Sequence, residues 1–192
     1  MAEIKLEYGK NKGVRPALTI EQQRAFMEFV ANHPVYYHWR PVFRVLLGTG
    51  CRVGELVGLR WEDIGLEKRT ISINHSLVYD TRREGKEGYT TQSLSISLPR
   101  TAAGIRVIPM IDSVKNAFEL VYEEQQETGF NETAIDGMSG FIFKNQFGNV
   151  LHQQAINAAI RRITADYNYQ EEMQAKKEKR EPLILPHFPA TI

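Results

Sequence analysis

The segment TGCRVGEL, residues 49–56, places an arginine, a carboxylate and two glycines around the start of a short apolar helix. Glycines let the backbone approach a ligand closely, and an arginine at a helix start sets its donors beside the free N–H groups of the first turn. This combination favours binding of a phosphate group. Arg52 and Glu55 are also three positions apart, the spacing of an ordinary surface ion pair, so spacing alone leaves both interpretations open.

A second candidate is the segment PRTAAGIR, residues 99–106, which has the composition of a hairpin tip. It carries two cations, Arg100 and Arg106, and the hydroxyl of Thr101. Tips that project from a sheet can enter a DNA groove or reach a phosphate, and arginine is the side chain that most often makes such contacts. Exposed turns also carry charges that only face water, so composition alone does not assign this tip a function.

The remaining reactive residue types offer no other chemistry. No cluster of His, Asp or Glu has the spacing of metal ligands, and the sequence lacks GxxxxGK[ST], GxGxxG and GxSxG motifs. We therefore predict no metal and no cofactor. The single cysteine, Cys51, has no identifiable His partner. Each histidine is interpreted as structural or exposed: His33, His38, His75, His152 and His187.

Composition bounds the class of protein. The 192 residues are 42% hydrophobic and 24% charged, which is enough apolar mass for one sizeable core. The formal charge of +1 does not identify a partner, and it is also compatible with an α+β protein-interaction domain. One cysteine excludes an internal disulfide framework and fits the reducing cytoplasm. No apolar run approaches the ~20 residues that span a membrane, and no signal peptide is recognisable.

Helical patterns flank a region of strand patterns. Thr19 and Gln22 predict a capping box before a first helix that stops at His33-Pro34. A buried helix is predicted over 37–47, ended by Gly48 and Gly50, and a short one over 52–59. Further helices are predicted from a cap at Asp112-Ser113, with Leu120 on the apolar side, and from about 152 to 167. The charged run KKEKR, 176–180, is interpreted as a solvated helix end or loop.

Between these helices the apolar period changes to two. Residues 70–79, 93–98 and 105–110 are predicted to be strands, with Ile71, Ile73, His75 and Leu77 on the inner side of the first. The fold class is therefore α+β, mainly helical with a small three-stranded antiparallel sheet. Residues 1–17 are interpreted as a flexible leader or the stump of a linker, and 18–192 as the folded domain.

Three ordered segments together resemble one known family. They are LLGTGCRVGELVGLRWEDIGLEKRTISI, LPRTAAGIRVIPM and GFIFKNQFGNVLHQQAINAAIRRI. Taken together they are similar to the catalytic domain of tyrosine recombinases, especially phage-type and conjugative-transposon integrases, from about Thr19 to the end. The resemblance implies double-stranded DNA as partner, self-association on DNA in the full-length protein, and strand exchange through a 3′-phosphotyrosine without metal or ATP.

The resemblance also implies roles for individual residues. Arg52 matches the first of the family's two catalytic arginines, and Glu55 looks like its orienting partner. Arg100 stands where the family generally has a lysine that acts as general acid. Arginine stays protonated at accessible pH, so it can hold a phosphate but transfers a proton poorly. Lys86 is not expected to replace that lysine, and Thr101 and Arg106 are expected to contact DNA.

Two family motifs are missing from these 192 residues. His187 is not followed three positions later by arginine, and the last tyrosines, Tyr167 and Tyr169, are not in the context of the nucleophile. The resemblance therefore implies a truncated catalytic domain that does not cut DNA alone. The alternative is a non-catalytic DNA-binding or regulatory module on the same scaffold.

Overall fold

The computed structural model describes residues 17–84, 89–188 and 190. The leader expected over 1–17 lies, except for its last residue, outside this part of the chain, as does Lys86. The described elements are five helices and five strands, joined by short 3₁₀ turns at Tyr37–Trp39, Trp61–Asp63 and Ala102–Gly104. The helices are α1 Ile20–Asn32, α2 Arg40–Thr49, α3 Val53–Gly58, α4 Asp112–Thr128 and α5 Gln153–Glu178. The strands are β1 Ile64–Gly65, β2 Thr70–Ile73, β3 Ser76–Glu84, β4 Tyr89–Ser97 and β5 Arg106–Pro109.

The first helix begins as its sequence predicts. The Thr19 hydroxyl accepts from the backbone N–H of Gln22, and the Gln22 side chain accepts from the backbone N–H of Thr19. This reciprocal capping satisfies two donors that a helix start otherwise leaves unpaired. On the inner face Phe26 is fully buried and meets the rings of Phe43 and Phe188 edge-on, at centroid distances of 5.1 and 5.3 Å. α1 is thereby anchored to α2 and to the end of the described chain.

The second helix leads directly into the candidate site. Pro41 lies in its first turn, where the missing N–H costs nothing. Gly50 ends the helix with φ of +62°, a left-handed conformation that suits glycine. Gly48, expected to share in the break, instead lies inside α2, which packs against α4. The chain turns at Gly50, and α3 begins three residues later, at Val53.

The strands form two antiparallel sheets, and the sequence did not predict which strand belongs to which sheet. The three-stranded sheet has the order β1-β2-β5, and β3 and β4 form a separate hairpin. The single strand expected over 70–79 is broken at Asn74 and His75, because their side chains bond elsewhere. The Asn74 amide donates to Asp63 Oδ1 at 3.1 Å, and His75 Nε2 contacts the Gly58 carbonyl at 2.7 Å.

The burial pattern across that break is nevertheless the expected one. Ile71, Ile73, His75 and Leu77 are all at most 5% exposed. A period of two determines which side chains point inward, but it does not identify the strand with which each segment pairs.

The two long helices differ from expectation at their ends. α4 has Ile111 at its N-cap without a side-chain cap, so the cap expected at Asp112-Ser113 is wrong. Leu120, expected on the apolar side, is 51% exposed. α5 continues to Glu178, well past the expected end near Tyr167, because its charged second half consists of good helix formers. None of the described helices is both long and apolar enough to span a membrane.

The last described segment, residues 183–188 and 190, is hydrogen-bonded to α5 and closes the core. Asn168 donates to the Leu185 carbonyl at 2.9 Å and accepts from the Leu185 N–H at 2.8 Å. Leu183 donates to Glu171, and Ala190 donates to Asn157. Leu185 is 1% exposed within the one hydrophobic cluster that joins the helices and the sheet. We call this segment the strap.

Candidate functional site

A groove of about 910 Å³ opens where α3, the start of β3 and the turn between β4 and β5 meet. The first turn of α3 forms one wall, and residues 97–101, 103 and 104 form another. The five residues singled out in the sequence all line it: Arg52, Glu55, Arg100, Thr101 and Arg106. Residues up to 54 positions apart in sequence, by the difference between 106 and 52, are thus collected at one place.

Arg52 occupies the N-cap position of α3, immediately after the turn made by Gly50. Its side chain is 69% exposed, so the guanidinium lies at the groove and not in the apolar interior. One of its nitrogens, Nη1, donates to Glu55 Oε1 at 2.9 Å. The structure describes no other partner for this side chain, which leaves its remaining N–H donors for a ligand.

Glu55 is the buried hydrogen-bond acceptor of the groove. Its side chain is 7% exposed and accepts four hydrogen bonds. The Arg52 backbone N–H donates to Oε2 at 2.8 Å in addition to the Nη1 contact, and Arg106 donates to both oxygens at 2.9 and 2.7 Å. Burial pushes the pKa of Glu55 upward, but the bonds from Arg106 and Arg52 outweigh it, so its pKa lies below the ordinary value. Glu55 is therefore ionised at neutral pH.

Arg106 reaches Glu55 from a different element, β5. It is the first residue of β5, opposite Ile73 of β2. Its Nη1 and Nη2 atoms both donate to Glu55, and this hydrogen bonding raises the pKa of Arg106. Two arginines therefore share one carboxylate, and the cluster carries one net positive charge. A positive cluster that keeps free donors is suited to an anion such as a phosphodiester.

The turn between β4 and β5 presents the other candidate residues. Arg100 and Thr101 are both exposed at the groove, and the Gly104 N–H donates to the Thr101 carbonyl at 2.9 Å. No ion pair of Arg100 is found among the described residues. The predicted turn is present, but it is not the tip of a hairpin, because β4 pairs with β3 and β5 pairs with β2 in the other sheet. It presents a third guanidinium to the groove, in addition to those of Arg52 and Arg106.

The packing of α3 against β3 fixes the start of the helix, where Arg52 lies. A Cβ on Gly54 would lie 3.1 Å from the Leu77 carbonyl oxygen, and one on Gly58 would lie 3.0 Å from the Leu77 nitrogen. The two glycines stand four positions apart, on one face of the helix. α3 therefore lies directly on the backbone of β3, so close that a Cβ at either position would require a small shift of that strand.

Sequence reasoning missed the wall of the groove that α5 contributes. Gln153, the first residue of α5, lines it, and His152 caps that helix by accepting from the Ala155 N–H at 3.3 Å. The His152 ring stacks on Tyr79 of β3, with centroids 5.5 Å apart. The only sequence signal for this wall is the position of His152 just before an apolar helical pattern, and that signal indicates a cap and not a groove.

Other sites in the described chain fit a phosphate less well. No group of three or more His, Cys, Asp or Glu side chains among the described residues could hold a metal ion. A second cleft of about 590 Å³ lies between α1 and α5 and includes Glu28, Phe29 and Tyr167. Its described lining contains no lysine or arginine. The thiol of Cys51 is buried, and burial raises its pKa, which disfavours the reactive thiolate.

Comparisons with known proteins found relatives that match most of this chain. Residues 16–177 match the model of the phage integrase family. The chain is 29% identical over 173 residues to the transposase from transposon Tn916 of Enterococcus faecalis, a match that covers 90% of this chain and 38% of that protein. It therefore spans about two fifths of the length of this curated relative.

Solved structures of two proteins have a similar fold. The Tn1549 transposon integrase in complex with circular intermediate DNA superposes with a TM-score of 0.72 at 28% or 29% identity, over 92% of this chain and about half of that one. The XerA recombinase superposes with a TM-score of 0.55 over 81% of this chain and 45% of its own. At 15% identity, the XerA match supports the fold alone.

Proposed function

The chain belongs to the phage integrase family of tyrosine recombinases, and on that premise we propose that it is the phosphate-binding part of a site-specific DNA recombinase. The whole protein would break and rejoin double-stranded DNA through a 3′-phosphotyrosine intermediate. This chain holds the scissile phosphate in the groove but does not cleave it alone, because its 192 residues contain no His-x-x-Arg motif and no tyrosine in the family's nucleophile context.

The observation that carries the proposal is the shared groove of Arg52 and the turn at 99–104. In the transesterification, a tyrosine oxygen attacks phosphorus, the bond from phosphorus to the 5′-oxygen breaks, and that oxygen takes a proton. Negative charge builds on the non-bridging oxygens as the attack proceeds. A guanidinium already aimed at the phosphate stabilises this charge without a cost of reorganisation. Arg52, held on Glu55 and otherwise exposed, has that property.

Arg100 and Thr101 would contact the same DNA from the turn between β4 and β5. The Arg100 fork can bind a phosphate, and the Thr101 hydroxyl can donate one further hydrogen bond. Arg100 would not supply the proton for the leaving oxygen, because arginine stays protonated. We propose that it holds DNA and that proton transfer belongs to another group of the whole protein.

The relatives support DNA as the partner. The solved Tn1549 transposon integrase is in complex with circular intermediate DNA, and the Tn916 relative is a transposase. We extend this to the present chain as a proposal, together with action in the cytoplasm and self-association of the whole protein on DNA. A symmetric oligomer would bring two strands together for exchange.

A second function is a non-catalytic DNA-binding or regulatory module. It is favoured by Arg100 at the position where the family generally has lysine. In both functions the protein binds DNA, but only the recombinase forms a covalent link to it. A covalent link to DNA formed by the gene's complete product would support the recombinase, and a complete product that binds without linking would support the module.

The test is direct binding of this chain to duplex DNA over a series of salt concentrations. We expect binding that weakens linearly on a logarithmic salt scale, because each neutralised phosphate releases a counterion. A nicked suicide substrate should give no covalent product with this chain. Absence of binding at low salt would overturn the proposal, and a covalent adduct would overturn the statement that the chain does not cleave alone.

A further inference from the structure

We propose that Arg106 acts on bound DNA through Glu55, as a brace that positions Arg52, and not as a ligand of the phosphate. This inference rests on the proposed DNA binding and assigns a different role to a residue that the sequence marks as a DNA contact. Its basis is the bidentate contact in which Arg106 Nη1 and Nη2 donate to the two oxygens of Glu55, at 2.9 and 2.7 Å.

The orientation of the guanidinium favours the brace. Parallel bonds from Nη1 and Nη2 use the end of the guanidinium fork, one of the edges with which arginine binds a phosphate or carboxylate in bidentate fashion. Arg106 directs that edge toward Glu55. Its side chain is 33% exposed, whereas Arg52 is 69% exposed and gives Glu55 one side-chain bond. Of the two arginines, Arg52 therefore keeps more donors and more open surface for DNA.

Burial of Glu55 makes the brace necessary. A carboxylate that is 7% exposed has lost most of its water, and such a charge must be compensated by cations or donors. Arg52 alone would have to supply that compensation if Arg106 were absent. Its guanidinium would then be drawn more fully onto Glu55 and away from the groove. Arg106 thus leaves Arg52 free to bind a second anion.

The brace also joins two parts of the fold that are distant in sequence. Glu55 lies on α3 and Arg106 begins β5, 51 positions later. Arg106 follows the 3₁₀ turn Ala102–Gly104 by two residues, so its contact with Glu55 fixes the wall that carries Arg100 relative to the wall that carries Arg52. Loss of the contact would change the distance between these two walls, but it would not remove Arg52 or Arg100 from the groove.

A double-mutant cycle separates the brace from a direct phosphate contact. The variants are Arg106→Ala, Glu55→Met, which keeps the shape of the buried side chain but accepts no hydrogen bond, and the pair together. If Arg106 acts through Glu55, Arg106→Ala weakens DNA binding about ten-fold in the parent and causes no further loss when it is added to Glu55→Met. An equal loss in both backgrounds would overturn the brace.

Arg106→Lys provides a second test that keeps the charge. Lysine cannot donate the two parallel bonds of the guanidinium fork to Glu55, so the brace predicts a clear loss of affinity although the charge is kept. A phosphate contact predicts nearly full retention of affinity, because lysine is also a good phosphate ligand. This variant also serves if Arg106→Ala does not fold, as judged by circular dichroism. Absence of DNA binding by the parent chain would reject the proposed function itself, which is a distinct outcome.

Discussion

Arg52 and Glu55 bind each other twice: the backbone N–H of Arg52 donates to Oε2 at 2.8 Å, and Nη1 of its side chain donates to Oε1 at 2.9 Å. One contact caps α3 and the other holds the guanidinium. The carboxylate is buried and the guanidinium is exposed. This is not an ordinary surface pair, since the two partners differ in burial and the second oxygen contact depends on the backbone. Glu55 therefore orients Arg52 while it stabilises the helix start.

The first prediction follows from that double contact. Glu55→Gln removes a negative charge from a groove proposed to bind DNA, so simple electrostatics predicts tighter binding. We expect weaker binding by about ten-fold, because one of the two accepting oxygens becomes an NH₂ donor, so at most half of the four hydrogen bonds to Glu55 remain and Arg52 is held less firmly. Fluorescence anisotropy with labelled duplex DNA measures the change. An increase in affinity would show that Glu55 only neutralises the arginines.

The second prediction concerns acid stability. The pKa of Glu55 is lowered below its ordinary 4.5, so its ionised form stabilises the folded state at higher pH. That contribution is complete above pH 4.5 and is lost as the pH falls toward the lower folded-state value. The difference in unfolding free energy between the parent and Glu55→Gln should therefore shrink below pH 4.5. Urea titrations at several pH values measure it, and a difference that does not change with pH would contradict the assignment.

Much of the local structure could be predicted from the sequence. The Thr19 capping box, the break at Gly50 and the short helix after Arg52 depend on residues close together in the chain. Local backbone preferences are sufficient for such features. The similarity to a family also placed Arg52 and Arg100 in one site, and both line the same groove.

Features that depend on distant partners could not be predicted. The pairing of Glu55 with Arg106 joins two elements 51 positions apart, and neither residue type specifies the other. The break at Asn74 arises because its amide bonds to Asp63, which a period of two does not reveal. The strap is held by side chains that accept or donate to backbone, and its apolar residues gave no periodic pattern.

The third prediction tests the charge of the 99–104 turn. Arg100→Ala should weaken DNA binding and reduce the slope of log affinity against log salt by about 0.9, the loss of one phosphate contact. Arg100→Lys keeps the charge and should keep the slope. Both variants are measured with the same duplex over a salt series. An unchanged slope for Arg100→Ala would show that this side chain only faces water.

The fourth prediction concerns the strap. Asn168→Ala removes both hydrogen bonds to Leu185 and should lower the free energy of unfolding by about 1–2 kcal/mol. Asn116→Ala is the matched control, because Asn116 is exposed on α4 and alanine improves helix propensity equally at both positions. Denaturant unfolding measures both variants. Equal effects would show that the strap is not held by Asn168.

The central claim is that the Arg52 guanidinium neutralises a phosphodiester in the groove. The most direct test is the salt dependence of duplex DNA binding by Arg52→Ala, compared with Arg24→Ala, an exposed arginine of α1 that does not line the groove. We predict that Arg52→Ala binds more weakly and that its salt slope is smaller by about 0.9, while Arg24→Ala resembles the parent. A parent-like slope and affinity for Arg52→Ala would contradict the account.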